Sequence, residues 1–307
     1  MSALRLIYPA PLRDGATIAV VAPASPPQEP ERIPAALDRL KAQGFRIKPG
    51  KHLEARTGYL AGSDEERAAD LQAAFADREV EGIVALRGGY GSCRILSLLD
   101  YAAIHAQPKL FLGYSDNTAL HHALLKKAGL VTLHGPNATE AFLPSNAAYM
   151  KRVLQNAVTE AKADLLSGPG AGEKMTTLVE GNARGRLIGG NMTCLLRLLG
   201  TSFVPDFRGT ILFLEDIGEK AYRVDGMFAH LRLAGVLTQI GGLILGRFTH
   251  PDEGENERIR ACLEREAQAV GVPCVAHAPF GHFPEQVILP HGADVELDAG
   301  ERTSRLA

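Results

Sequence analysis

Cysteine and tryptophan are scarce in this chain, whose 307 residues include four cysteines and no tryptophan. The cysteines are far apart, which is typical of reduced core residues and disfavours disulfides or a metal site; they are Cys93, Cys194, Cys262 and Cys274. The ten histidines show no H-E-x-x-H spacing. We therefore expect an activity that depends on no metal and no other cofactor.

No charge of one sign dominates, since 33 basic and 35 acidic residues give a net charge of −2. This balance argues against binding to nucleic acid or to an anionic membrane surface. No apolar run approaches the roughly 20 residues that span a bilayer, and the N-terminal stretch lacks the apolar core of a signal peptide. We expect a cytoplasmic protein that acts on a small molecule or a peptide.

Two common nucleotide-binding motifs are also missing. The glycine-rich stretch LRGGYGS, Leu86 to Ser92, lacks the G-K-[ST] ending of a P-loop, and Arg94 stands where a dinucleotide fingerprint has its third glycine. The turn could instead offer backbone N–H groups to an oxyanion. The stretch favours that interpretation over a nucleotide site, and a purely structural turn is equally compatible with it.

The first half of the chain alternates strand-like and helix-like segments. Four short apolar runs end in turn residues, and a helical pattern spans residues 64–77; the runs cover residues 17–23, 82–89, 109–114 and 130–135. This alternation predicts a parallel sheet wrapped by helices. Ligands bind such sheets at the carboxyl ends of the strands, where Arg87, Gly88, Gly89 and Ser115 stand.

A Gly/Pro-rich segment around residues 165–174 interrupts this pattern. We predict an N-terminal α/β domain over residues 1–164, a linker over 165–180 and a C-terminal β/α domain over 181–307. The second domain contains strand-like runs at 210–216, 241–248 and 286–298, and helix-like runs at 192–200, 222–237 and 255–270.

Ser115 lies where a strand turns abruptly into a helix, within KLFLGYSDNTALHHALLKKAG. It could cap the helix, or it could be a nucleophile that the turn exposes beside the helix N-terminus. A nucleophilic serine needs a base and a carboxylate that orients the base. Glu215 and Asp216 follow a strand, and His282 lies in a Gly/Pro turn. Each of these signals is weak by itself.

Five stretches occur along the chain in the order ALRGGYGSCRIL, FLGYSDNTALHHAL, GGNMTCLLRLLGT, LFLEDIGE and FGHFPEQVILPHG. Together they resemble the motifs of the LD-carboxypeptidases, also called muramoyltetrapeptide carboxypeptidases. The resemblance covers residues from about 17 to 298. It implies an α/β fold with an N-terminal parallel-sheet domain resembling class I glutamine amidotransferases and a smaller, swivelling C-terminal β/α domain.

The resemblance also implies the roles of five residues. Ser115 matches the family's nucleophile, Glu215 its triad acid and His282 its base, so the triad would draw on both domains. The backbone amides of Gly89 and Asp116 would form the oxyanion hole. The implied reaction is removal of terminal D-alanine from murein tetrapeptides at an L,D bond during cell-wall recycling.

Other features of the substrate site are less closely tied to the motifs. Arg87, Tyr90 and Arg223 lie near them and are candidate substrate-binding residues. The family suggests a homodimer. Phe283 follows His282 where a smaller residue is expected, which puts the shape of the pocket in question. Spacing does not exclude Asp216 as the acid, and we follow the family in choosing Glu215.

Four alternatives compete with this interpretation. A microcin C self-immunity hydrolase of peptidyl or aminoacyl adenylates resembles the chain, although such enzymes commonly stack tryptophan on a base. An α/β-hydrolase esterase needs a second glycine where Asn117 stands. A penicillin-binding type of carboxypeptidase needs S-x-x-K, which the chain lacks. A non-enzymatic peptide-binding protein would show no hydrolysis that depends on Ser115.

Overall fold

A computed structural model describes residues 5–156, 163–170 and 175–307. The chain forms two compact units. Unit 1 comprises Met1–Thr159, Ser202–Pro205 and Ile288–Gly292, and unit 2 comprises Glu160–Thr201, Asp206–Val287 and Ala293–Ala307. Residues 171–174 of the predicted linker lie outside the described residues, as do 1–4 and 157–162 of the predicted N-terminal domain.

Unit 1 alternates strands and helices as the sequence pattern predicts. Its strands are β1 (Thr17–Val21), β2 (Arg46–Pro49), β3 (Gly82–Ala85), β4 (Leu110–Gly113), β5 (Thr132–His134) and, late in the chain, β11 (Leu289–His291). Its helices are α1 (Arg32–Ala42), α2 (Asp64–Ala76), α3 (Tyr101–Ala106), α4 (Thr118–Ala128) and α5 (Ala147–Asn156). Two 3-10 segments cover Ser92–Leu98 and Ser115–Asn117.

The sheet of unit 1 has the strand order β11-β5-β4-β3-β1-β2. Strands β1 to β5 pair in parallel, which confirms the predicted parallel sheet. Its central strands are continuous apolar runs because both faces are covered; Ile18, Val84 and Leu112 are fully buried. Since β3 and β4 are neighbours, the turns after them, which carry Gly88 and Ser115, lie side by side.

Unit 2 contains the rest of the secondary structure. Its strands are β6 (Thr176–Val179), β7 (Asn182–Asn191), β8 (Ile211–Ile217), β9 (Gly242–Thr249), β10 (Cys274–Ala276), β12 (Asp294–Asp298) and β13 (Thr303–Leu306). Its helices are α6 (Met192–Leu196), α7 (Ala221–Leu233) and α8 (Glu253–Val270).

The sheet of unit 2 has the order β13-β12-β7-β8-β9-β10-β6. Strands β7, β8, β9 and β10 are parallel, and the remaining pairs are antiparallel. Strand β8 therefore lies inside the sheet, and Leu212, Phe213 and Leu214 are fully buried. Glu215 and Asp216 occupy the carboxyl end of this strand.

The strand-like run at residues 286–298 is divided between the two sheets. Leu289–His291 pairs antiparallel with β5 in unit 1, whereas Asp294–Asp298 pairs with β7 in unit 2. A hydrophobic pattern indicates a strand but not its partner, because pairing depends on segments far away in sequence.

None of the helices that the structure describes combines the length and the hydrophobicity that a membrane-spanning segment needs.

Candidate active site

The Ser115 backbone adopts a left-handed conformation that is rare for a residue with a side chain. Its φ angle is +63°. A non-glycine residue in this region carries local strain, which surrounding contacts must maintain. Ser115 begins the 3-10 turn, and the N-cap position of α4 is Asn117. Ser115 therefore is not the N-cap residue of α4, and the geometry resembles the strained strand-to-helix turn that exposes a nucleophile.

Gly88 lies directly against Ser115. A Cβ atom added to Gly88 would stand 2.7 Å from the Cβ of Ser115, 2.9 Å from its Oγ and 3.4 Å from the amide nitrogen of Asp116. No real Cβ tolerates the two shorter distances. The backbone of the glycine-rich turn thus approaches the serine closely only because residue 88 has no side chain.

Gly89 has a conformation and a neighbour that both favour glycine. Its φ angle is +106°, and a Cβ there would meet the Ser25 side chain at 2.6 Å. The amide of Tyr90 donates to Ser25 Oγ at 3.0 Å, which fixes the turn from its other side. The two amides predicted for an oxyanion hole, those of Gly89 and Asp116, belong to these adjoining turns.

The Asp116 side chain joins the turn at Ser115 to the segment that follows the glycine-rich turn. Its Oδ2 accepts a hydrogen bond from the Ser92 amide at 2.7 Å, and its backbone carbonyl accepts one from Ser92 Oγ. Asp116 is buried. Asn117 Nδ2 adds donations to Tyr114 O at 3.2 Å and to Asn137 Oδ1 at 3.0 Å. These side chains brace the strained turn.

Glu215 and His282 form a close pair in unit 2. The Nδ1 atom of His282 lies 2.7 Å from Oε2 of Glu215, which is fully buried. An ionised carboxylate can only accept, so Nδ1 carries the proton and Nε2 of the neutral ring is the basic nitrogen. Glu215 therefore fixes both the tautomer and the orientation of the ring.

The neighbouring carboxylate, Asp216, has different partners. Its oxygens accept hydrogen bonds from Asn191 Nδ2 at 3.1 Å, the Thr193 amide and Oγ1 at 2.8 Å each, and the Ile217 amide at 2.9 Å. Burial and then the charge of Glu215 raise the pKa of Asp216. The GGNMT motif thus supplies a structural site for Asp216, while Glu215 faces the histidine.

Two of the three residues predicted to bind substrate, Arg87 and Tyr90, lie in unit 1, and the third, Arg223, lies in unit 2. The Arg87 side chain donates to Pro26 O at 2.8 Å. Tyr90 packs edge-to-face against Tyr59, with ring centroids 5.6 Å apart. Arg223 lies on α7 and pairs with Glu219 at 2.5 Å. Arg87 and Tyr90 thus flank the glycine-rich turn of unit 1, whereas Arg223 belongs to another element of unit 2.

Sequence reasoning missed several residues that shape these turns, among them Ser25, Gly88 as the contact of Ser115, Tyr59 and Ser92. Ser25 and Tyr59 lie in segments without a recognisable motif. The R-G-G-Y-G motif contained Gly88, but only the folded structure shows which glycine touches Ser115. Within the described ranges, no group of three or more His, Cys, Asp or Glu side chains is arranged to hold a metal ion.

Comparison with known proteins supplies the context for this geometry. The LD-carboxypeptidase N-terminal domain matches residues 18–135, and the LD-carboxypeptidase C-terminal domain matches residues 184–297. The chain is 37% identical to the probable murein peptide carboxypeptidase of Bacillus subtilis (strain 168), with 96% of this chain and 93% of the relative covered. It is 33% identical to the murein tetrapeptide carboxypeptidase of Pseudomonas aeruginosa, with 92% of each covered.

Solved structures share the fold over nearly the whole chain. The muramoyltetrapeptide carboxypeptidase of Oxalobacter formigenes superposes with a TM-score of 0.81 at 30% identity, covering 95% of this chain and 98% of that one. The microcin C7 self immunity protein MccF, in complex with aspartyl sulfamoyl adenosine, superposes with a TM-score of 0.87 at 25% identity, covering 98% of each chain. The chain belongs to the LD-carboxypeptidase family.

Proposed function

We propose that this chain is a serine carboxypeptidase that releases terminal D-alanine from murein tetrapeptides in cell-wall recycling. The bond cleaved joins the L centre of the third residue to D-alanine. The observation that carries the proposal is the 2.7 Å contact between His282 Nδ1 and the fully buried Glu215, which orients a general base. The names of the relatives support the substrate class.

Ser115 is the nucleophile in this mechanism. Its Oγ attacks the scissile carbonyl while Nε2 of His282 takes the hydroxyl proton. Glu215 stabilises the imidazolium that forms. The positive φ angle of Ser115 supports the assignment, because a strained turn between a strand and a helix is the usual setting of an exposed nucleophile.

The negative charge that develops on the carbonyl oxygen needs hydrogen-bond donors. We assign these to the backbone amides of Gly89 and Asp116, whose turns adjoin at Gly88 and Ser115. Collapse of the tetrahedral intermediate breaks the C–N bond, and His282 returns the proton to the departing amine of D-alanine. A water molecule then attacks the ester at Ser115, with His282 again acting as base, and frees the tripeptide.

A panel of substrates tests the proposal. Purified protein is incubated with L-Ala-γ-D-Glu-meso-diaminopimelate-D-Ala, with the pentapeptide ending in D-Ala-D-Ala, and with the tetrapeptide isomer ending in L-Ala. Mass spectrometry should show free alanine from the first and much less product from the other two. A site built around a terminal carboxylate leaves its partner unpaired when the peptide is extended. Equal cleavage of all three would contradict an L,D-specific carboxypeptidase.

A second candidate function follows from the structural similarity to MccF, whose structure was determined with aspartyl sulfamoyl adenosine. A peptidyl adenylate belongs in the same panel for this reason. Hydrolysis of the adenylate without tetrapeptide cleavage would favour a self-immunity hydrolase. The absence of tryptophan from the chain favours the murein substrate, because indole rings are the strongest stacking partners for a base.

We further propose that the protein acts in the cytoplasm, as a homodimer, without metal or cofactor. The proposed mechanism needs only orientation and proton transfer, so a chelator such as EDTA should leave the activity unchanged. Sedimentation of the purified chain measures its oligomeric state. Activity that disappears in EDTA and returns with added metal would contradict the mechanism.

A further inference from the structure

The loop that carries His282 has no regular secondary structure between β10 and β11. Two backbone hydrogen bonds join the start of this loop to β9. The Ala278 amide donates to Leu245 O at 3.0 Å, and the Arg247 amide donates to Phe280 O at 2.9 Å. The Phe280 ring occupies the space beside Gly246, where a Cβ would lie 2.5 Å from its Cε2. The start of the loop is therefore in fixed register on β9.

Phe283, the residue after His282, is held by the Arg247 side chain. The guanidinium carbon lies 3.9 Å from the centroid of the Phe283 ring, a close cation–π contact. Arg247 Nη2 also donates to Gly170 O at 2.8 Å. The guanidinium thus has an aromatic face and a carbonyl as partners.

Gly170 completes the contact from the segment predicted as a linker. Its φ angle is +76°, and a Cβ there would stand 2.6 Å from Cε2 of Phe283 and would also clash with Glu285 O. The backbone at Gly170 therefore packs directly against the ring. The partly exposed Phe283 ring thus contacts both the Arg247 guanidinium and the Gly170 backbone, an arrangement that we name the Phe283 clamp.

The position of the Phe283 side chain constrains the backbone at His282, because the two residues share a peptide plane. In its proposed role as the base, the His282 ring must keep its Nδ1 atom 2.7 Å from Oε2 of Glu215. A displacement of about 1 Å in such a group can lower a rate about 100-fold. The phenylalanine that departs from the family's pattern is thus the residue that anchors the histidine loop.

We infer that Arg247 is a positioning residue that holds His282 in its productive orientation through the Phe283 clamp. The inference rests on the proposed role of His282 as the base. Arg247 also lines a cavity of about 160 Å³ with Thr249, Arg260 and His277. A guanidinium could instead bind an anionic group of the substrate there, and the two roles differ in their kinetic effects.

Steady-state kinetics with the murein tetrapeptide separate these roles. Arg247→Met should lower kcat about 10- to 100-fold with KM changed less than about twofold, because orientation affects the transition state alone. Phe283→Leu, which keeps apolar bulk but loses the aromatic face, should act in the same direction and substitutes for Arg247→Met if that variant does not fold. Arg260→Met is the matched control, since it removes a guanidinium from the same cavity, and it should retain wild-type kcat.

A rise in KM at unchanged kcat in Arg247→Met would overturn the inference and assign the side chain to substrate binding. Unchanged kinetics in both Arg247→Met and Phe283→Leu would also overturn it.

Proton NMR at neutral pH tests the inference without a substrate. The Nδ1 proton of His282, identified by its loss in Glu215→Gln, should be sharp in the wild type and in Arg260→Met. It should broaden in Arg247→Met, because a looser ring exposes this proton to exchange with water. A sharp signal in Arg247→Met would contradict the clamp, whether or not the tetrapeptide proves to be the substrate.

Discussion

The turn that carries Ser115 and the loop that carries His282 are held in place by different means. At Ser115 the backbone dominates, with a φ angle of +63° and a contact that only a glycine at position 88 permits. At His282 side chains dominate, through Glu215 on one side and the Phe283 clamp on the other. Activity should therefore be most sensitive to larger side chains in the Ser115 turn, and to the loss of side-chain groups around the His282 loop.

Replacing each of the two neighbouring carboxylates by its amide, one at a time, tests the region around His282. Glu215→Gln should lower kcat about 10³- to 10⁴-fold with little change in KM, because the neutral amide no longer stabilises the imidazolium. Asp216→Asn should lower kcat less than about tenfold, while its weakened hydrogen bonds lower the free energy of unfolding by about 1–3 kcal/mol. Rates of D-alanine release and urea unfolding measure the two effects. Full activity in Glu215→Gln with none in Asp216→Asn would transfer the role of the acid to residue 216.

Adding one methyl group tests the Ser115 turn. Gly88→Ala would place a Cβ 2.7 Å from the Cβ of Ser115, so the turn must shift, and we expect kcat to fall about 100-fold. Gly226→Ala is the matched control, because a Cβ on this α7 residue meets nothing within 4 Å. That variant should keep full activity and gain about 0.5–1 kcal/mol in stability. Equal activities of the two alanine variants would show that the Ser115 turn does not depend on Gly88.

Among its described residues, unit 1 also contains four buried histidines, and these predict that the free energy of unfolding falls in acid. His121 Nε2 donates to Gly113 O at 2.8 Å, its Nδ1 lies 2.7 Å from Thr132 Oγ1, and its ring stacks on His291 at 5.6 Å. The other two are His122 and His134. Burial lowers the pKa of His121 to about 4, and burial with the neighbouring histidines lowers the pKa of His291.

Both pKa values lie below the unfolded value of 6.5, so the unfolded chain binds more protons as the pH falls. Stability is therefore complete above about pH 6.5 and is lost progressively toward pH 4, by about 3 kcal/mol for His121 alone. Urea unfolding at pH 7 and pH 5 measures the loss. For each variant the loss is the difference between its own unfolding free energies at pH 7 and pH 5. This loss should be smaller in His291→Leu than in the wild type, and it should equal the wild-type loss in the exposed control His230→Leu. An identical loss in both variants would refute the role of the cluster.

Much of the fold follows from local sequence patterns. The apolar runs that end in turn residues predicted β1, β3, β4 and β5, and the helical pattern at residues 64–77 corresponds to α2, which a capping box at Ser63 and Glu66 begins. The sequence could not predict that Leu289–His291 pairs with β5, because strand partners are decided by the assembled core. Pairing across some 150 residues leaves no local signal.

The candidate site divides in the same way. Ser115, Glu215 and His282 were identified because they lie in motifs that follow the family's order along the chain. Their assignment as nucleophile, acid and base stays a prediction. Spacing left Glu215 and Asp216 equivalent, and only the hydrogen bonds distinguish their surroundings. The positive φ angle of Ser115 and the partners of Phe283 also depend on contacts between distant segments. Such contacts cannot be derived from one sequence.

The most direct test of the account is the rate of D-alanine release from the murein tetrapeptide by the wild type and by Ser115→Ala. The substitution removes only a hydroxyl, so the variant should have the circular dichroism spectrum of the wild type. We predict that the wild type releases D-alanine and that the variant loses at least about 10³-fold in kcat, because no covalent intermediate can form. Retention of more than about a tenth of the wild-type rate in a clean preparation would contradict the assignment of Ser115 as the nucleophile.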